Sequence, residues 1–190
     1  MKILKTLFAM LNPVELFTLY VVDAIKSTPI TNADATPVVL NSAQIAGGRM
    51  RLKRGWGTTL TAAAEIASTI RCIRVRSNDL VAKLMLDCTA FGTGCAADIG
   101  LYKIAADGGA VVDADFFASA VDISAALVQS NVTREAAGTP NAVNYMTKCI
   151  WEALGLSADP QIDYDVALTL TAAATGTGTA CLSAEVVGRT

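Results

Sequence analysis

Histidine is absent from all 190 residues. Its absence removes the commonest general base, the usual partner of a catalytic Ser or Cys, and the commonest transition-metal ligand. Charge is also sparse, at 17% of residues with a net −2, so neutralisation of a phosphate backbone is not expected. Aromatics make up 6%, and Trp56 alone lies near the basic residues, whereas a nucleic-acid footprint interleaves stacking groups with many cations. No apolar run is long enough to span a bilayer. Neither nucleic acid nor membrane is therefore an expected partner.

Five cysteines are present, Cys72, Cys88, Cys95, Cys149 and Cys181, and none forms a CxxC pair. A zinc site without His would need four thiolates from this scattered set, so no metal or cofactor is expected. Two readings of the thiols compete. They are small buried hydrophobes, or they form disulfides in an oxidising medium. The odd number leaves at least one thiol without an intrachain partner.

What is abundant is apolar: 53% of residues are hydrophobic. A globule of this length buries roughly 70% of its unfolded surface, enough for a core without metal or disulfide. The first 22 residues carry Lys2, Lys5 and an apolar run, yet Asn12, Pro13 and Glu15 interrupt it and no A-x-A site follows. The expectation is a short helix of two turns either side of Pro13, with Leu4, Leu7, Phe8 and Leu11 on one face. Residues 23–50, with Thr28-Pro29, Thr36-Pro37 and many Asn, Thr and Ser, read as extended backbone. The cluster Val38, Val39 and Leu40 reads as a short edge strand. Together residues 1–55 are expected to form an arm, and 56–190 a β-domain. Arg49, Arg51, Lys53 and Arg54 make a basic edge at the junction, suited to an acidic protein surface.

From Trp56 onward, short apolar runs alternate with turn signals. Ile73 and Val75 alternate with Arg74 and Arg76. The run from Leu80 to Ala90 continues the pattern, and Ala97 to Ile104 precedes an Asp107-Gly108-Gly109 turn. Ala110 to Ser124 follows, then an irregular stretch, 125–143. Residues 145–156 read as a strand ending in one helical turn. Ile162 to Ala173 is the clearest period-2 strand, and Ala180 to Gly188 is the last. Six to eight strands without crossover helices predict an all-β sandwich.

No catalytic constellation emerges. Asp113 and Asp115 lack the rest of a calcium loop, and Asp163 and Asp165 face one side of one strand rather than each other across a cleft. The run Gly176 to Ala180 has no Lys and no following helix, so it is no phosphate loop. An enzyme is not expected.

Three segments in order, "STPITNADATPVVLNSAQIAGGRMR" (27–51), "DIGLYKIAADGGAVVDADFFASAVD" (98–122) and "IWEALGLSADPQIDYDVALTLTAAA" (150–174), resemble the capsid decoration (cement) proteins of tailed bacteriophages. The resemblance spans roughly residues 27 to 187, and the leading 26 residues and the five cysteines depart from it. It implies a jelly-roll-like β-sandwich with an extended N-terminal arm. It further implies synthesis in the host cytoplasm and a place on the outer capsid surface of the virion. The implied partners are the major capsid protein and further copies of the chain, as a homotrimer. The implied role is to bridge neighbouring coat subunits against the pressure of packaged DNA. On that reading Leu4, Leu7, Phe8, Leu11, Arg49, Arg51, Lys53 and Arg54 are the capsid contacts.

Two alternatives stay open. A head-fibre or tail-associated β-module binding a host glycan would expose aromatics, and Trp56, Tyr102 and Tyr145 are the candidates, though each is expected in the core. A secreted adhesion domain would use the cysteines as disulfides.

Overall fold

The computed structural model describes residues 27–40, 48–56, 64–133 and 147–188. The chain divides into two compact units, Met1–Leu40 and Asn41–Thr190. The expected amphipathic helix over Leu4, Leu7, Phe8 and Leu11 lies outside the described residues.

Within the first unit, helix α1 spans Thr28–Ala33. This corrects the extended reading. Proline at the start of a helix costs no hydrogen bond, because the first N–H groups are orphans anyway. The Thr31 amide donates to the Ser27 carbonyl at 2.9 Å, and the Asp34 amide to Ile30 at 3.0 Å. Val38, Val39 and Leu40 form no strand and are exposed. The β-branching of the two valines is a preference for a pleated surface, and a partner strand must exist to satisfy it.

Among the described residues the second unit contains eight strands: β1 (Met50–Trp56), β2 (Thr69–Arg76), β3 (Asp79–Cys88), β4 (Ala96–Lys103), β5 (Val111–Asp122), β6 (Leu127–Asn131), β7 (Asp163–Leu170) and β8 (Ala180–Gly188). A one-turn helix, α2 (Ile150–Ala153), precedes β7. The sheets run β1-β8-β3-β6 and β2-β7-β4-β5, and every pairing is antiparallel. The pairs 1·8, 2·7, 3·6 and 4·5 are those of one long hairpin folded over on itself. The 3·8 and 4·7 pairings then close each sheet. This is a jelly roll, as the expected fold class holds.

The expected boundary at residue 55 is not where the sheet begins. Met50–Trp56 pair residue for residue with β8, from Met50↔Val187 to Trp56↔Cys181. Arg51, Lys53 and Arg54 therefore stand in a strand and not on an arm. The irregular stretch after Ser124 contains β6, which the alternation rule missed because its Val128 faces solvent.

The core lies between the sheets. Val75, Leu84, Leu86, Ile99, Leu101, Val166, Leu168 and Leu182 are fully buried, each at the inward parity of its strand. Phe91, on the loop after β3, closes one end and is also fully buried. Glycine at 178 makes that seat possible, because a Cβ there would lie 2.6 Å from the Phe91 ring. The "GTGTA" run thus serves packing. At the seam between sheets, β1 passes so close to β2 that a Cβ on Gly55 would overlap the Cys72 carbonyl oxygen.

Candidate docking surface along β1

Period 2 puts Met50, Leu52, Arg54 and Trp56 on one face of β1, turned away from the core. Met50 is 56% exposed, Leu52 61% and Trp56 77%. Three large apolar side chains thus form a strip along an edge strand, where the usual alternation would place polar groups. The expectation that Trp56 is a core residue is corrected. Tyr102 is buried, but on the outer face of the other sheet and not in the core, with its hydroxyl 2.6 Å from Thr169 Oγ1, and Tyr145 falls outside the described residues.

The opposite parity carries Lys53 and Gly55 toward the seam. Lys53 Nζ donates to Asp79 Oδ2 at 2.8 Å and to the Arg74 carbonyl at 2.9 Å, tying β1 to β2 and β3. Asp79 is buried at 1% exposure. It also accepts the Arg76 amide at 3.0 Å, and its Oδ1 lies 3.7 Å from Arg51. That Oδ1 is buried without a hydrogen bond, so the carboxylate depends on its two cations. Arg54 Nε donates to Ser183 Oγ at 3.0 Å. Of the four basic residues expected at a partner surface, Lys53 is thus chiefly structural, Arg51 and Arg54 share their charge with internal partners, and Arg49 is exposed.

The outer face of the other sheet is different in kind. Arg71 and Arg74 both reach Asp165, at 3.3 and 2.8 Å, and Arg76 reaches Asp163 at 3.4 Å. Hydrogen bonding and charge from Asp165 hold the Arg74 guanidinium above its ordinary value. Arg71 also donates to the Lys103 and Gly109 carbonyls and lies 5.2 Å over the Tyr102 ring. These polar groups satisfy one another across three strands, leaving little for a partner to gain. Among the described residues the apolar strip on β1 is exposed instead.

The remaining polar groups are structural. Ser77 donates to Asp159 at 2.5 Å and Gln161 N–H to the same carboxylate oxygen at 2.9 Å, pinning a turn. Asp122 is held below its usual range by the Ser124 side chain and then by the Ser124 amide, which donates to it at 2.9 Å. Burial, then the adjacent Asp115, pushes Asp113 up. None of the five cysteines is in a disulfide, which matches the small-hydrophobe reading and not the disulfide one. Burial, then the neighbouring Cys181, pushes Cys72 up to about 11, and burial raises Cys88 and Cys95. The shift disfavours the thiolate, which is the reactive form. Among the described residues no cluster of His, Cys, Asp and Glu could hold a metal ion.

No protein-family model matches the chain, and no curated protein matches it. Two solved structures are similar in backbone. One is the cyanophage Pam1 capsid asymmetric unit, at 10% identity and TM-score 0.44, covering 75% of this chain and 86% of that one. The other is the capsid of Ralstonia phage GP4, at 16% identity and TM-score 0.47, covering 75% and 87%. At such values neither likeness bears on individual residues or on role.

Proposed function

We propose that this chain is a structural virion protein that decorates a phage capsid and stabilises it by bridging neighbouring coat subunits. The observation that carries this reading is the strip of Met50, Leu52 and Trp56. Covering three such side chains contributes on the order of 4 kcal/mol per copy, whereas exposed ion pairs contribute roughly 0–1 kcal/mol each. The apolar strip therefore dominates attachment, and Arg49, Arg51 and Arg54 set orientation toward an acidic coat surface. The exposed Val38, Val39 and Leu40 add a second adhesive stretch. Leu4, Leu7, Phe8 and Leu11 belong to the same proposed contact, as parts of an arm.

Three further features support it. The residues at 27–51, 98–122 and 150–174 resemble capsid decoration proteins. The jelly roll is a fold used by viral capsid and lectin domains. Among the described residues, each charged side chain with a perturbed titration has a structural explanation. On a shell many copies act together, and each further contact of a bridging oligomer is effectively intramolecular. The place proposed is the outer surface of the head, with the major capsid protein as partner and a homotrimer as the unit.

The test is co-sedimentation with shells that lack the protein. Parent chain should pellet with shells, and Leu52→Glu should not while remaining folded by circular dichroism. Equal pelleting of both refutes the strip, and pelleting of neither refutes decoration. The exposed Trp56 indole also favours a second reading, a fibre- or tail-associated module that stacks host glycan on that ring. Carbohydrate binding by the free protein, lost in Trp56→Ala, would select it.

A further inference from the structure

Four strands end the two sheets: β1 and β6 in one, β2 and β5 in the other. A sheet edge exposes a row of unpaired N–H and C=O groups, and proteins interrupt such edges to keep other chains from pairing there. Three of the four are interrupted. The register of β2 on β7 shifts between Arg71 and Ile73, that of β6 on β3 between Leu86 and Cys88, and that of β5 on β4 at three places. β1 is continuous. Its seven residues pair with β8 in one register, from Met50↔Val187 to Trp56↔Cys181. Within the second unit, among the described residues, no strand pairs with its other side. β2 meets β1 from the interior, where the Arg74 carbonyl takes Lys53 and the Cys72 carbonyl lies over Gly55.

We infer that β1 takes up an extended segment of the coat protein as a further antiparallel strand, so that main-chain hydrogen bonds join the side-chain contacts. The inference deepens the shell-protein reading and rests on it for the source of the segment. Alternate residues of a strand, roughly three or four of these seven, direct both backbone groups toward the free edge. Every pairing in the sandwich is antiparallel, and that arrangement is slightly the more stable per residue.

The side chains of β1 define the segment. Residues opposite Met50, Leu52 and Trp56 share their face and cover them when apolar. Arg54 stands in the same row and calls for a carboxylate. Read from its N-terminus, the segment is therefore apolar opposite Trp56, acidic opposite Arg54, and apolar opposite Leu52 and Met50, with one unspecified residue between each. Charge excludes the obvious competitor. β1 carries Arg51, Lys53 and Arg54 and no carboxylate, so a second β1 laid along it would set cation against cation. An inward-pointing charge is another guard against strand addition. Lys53 does not act as one, because Asp79 and the Arg74 carbonyl already hold its ammonium.

The probe is the capped heptapeptide Val-Thr-Glu-Thr-Val-Thr-Val, titrated into the full chain and followed by amide-resolved NMR. Saturable shifts should centre on residues 50–56. Exchanging the peptide's Glu for Lys should raise Kd about 5-fold, and Leu52→Glu in the chain about 10-fold. The deciding pair of peptides is N-methylated at positions 2, 4 and 6 or at 3, 5 and 7. Strand addition uses the N–H groups of one parity alone, so one of the two should bind about 100-fold more weakly and the other like the parent peptide. Docking by side chains alone would treat both alike. Equal effects of the two, shifts centred elsewhere, or no saturable binding overturns the inference. A chain that pellets with shells but ignores the peptide refutes strand addition and leaves decoration standing. A chain that binds one methylated peptide and not the other, yet never pellets with shells, keeps the pairing edge and refutes decoration.

Discussion

Replacing Lys53 with Met would remove the nearer cation from a carboxylate that has almost no access to water. Lys53 Nζ and Asp79 Oδ2 are 2.8 Å apart, Asp79 is 1% exposed and the Lys53 side chain 28%. At an effective dielectric of 20 the Coulomb attraction at that distance is about 6 kcal/mol. Desolvation of both ions offsets much of it, so the pair contributes little net, but breaking it leaves a buried charge. Loss of one partner of a buried pair typically costs about 3–5 kcal/mol. Arg51, 3.7 Å from the other oxygen, retains part of the compensation. We therefore expect Lys53→Met to cost about 3 kcal/mol and Asp79→Asn about 2 kcal/mol. The double variant should lie within about 1 kcal/mol of the parent, because no buried charge remains and Arg51, which loses its contact with Asp79, is exposed to water. Urea unfolding followed by far-ultraviolet circular dichroism gives all four stabilities, and the cycle isolates the coupling. Additive losses, or a Lys53→Met cost below about 0.5 kcal/mol, would refute the view that Lys53 holds β1 to the sandwich through Asp79.

Gly55→Ala should cost about 2 kcal/mol or more by forcing β1 off the Cys72 carbonyl, whereas Gly94→Ala, at φ +77 with nothing near its Cβ, should show only a backbone cost of about 1 kcal/mol; thermal melts of the two compare them. Removal of residues 1–40 should leave a cooperative β-domain, while removal of 1–55 strips β1 from β8 and should abolish cooperative unfolding. At pH 8 Cys72, raised to about 11 from 9.0, should react with iodoacetamide about 100-fold more slowly than an ordinary thiol, read by peptide mass mapping. Asp113 has a raised folded value, so its ionisation favours the unfolded chain: its contribution is favourable at low pH and is lost as pH climbs from about 3.8 through the folded value. Asp113→Asn should therefore flatten the stability profile over that window and leave the monomer no less stable at pH 7; a profile identical to the parent's would contradict the shift.

The strands that bury one face were legible from alternation. β2 and β3 follow it, and β7 and β8 were read as strands although their burial extends to both parities. β1 was hidden because its apolar residues point outward, so the pattern looked like a basic linker leading to a core Trp. β6 was hidden for the related reason that an edge strand of five residues exposes Val128 and Gln129. Thr28-Pro29 suggested extended chain, and the structure places the proline in the first turn of a helix, where its ring is tolerated. The candidate site was half legible. The basic cluster was found, but its commitments were not, since Asp79 lies 26 residues from Lys53 and Ser183 lies 129 from Arg54. Such long-range pairs are set by strand order, which local pattern cannot supply. Leu52 and Met50 carried no sequence signal as contact residues, and only exposure on a folded strand distinguishes them.

The account stands or falls on the protein being a repeated component of a viral head that works by adhesion. Quantitative mass spectrometry of purified particles, scaling this chain against the major coat protein, tests that directly. A copy number commensurate with the coat subunits is predicted. A handful of copies per particle, or none, would contradict it.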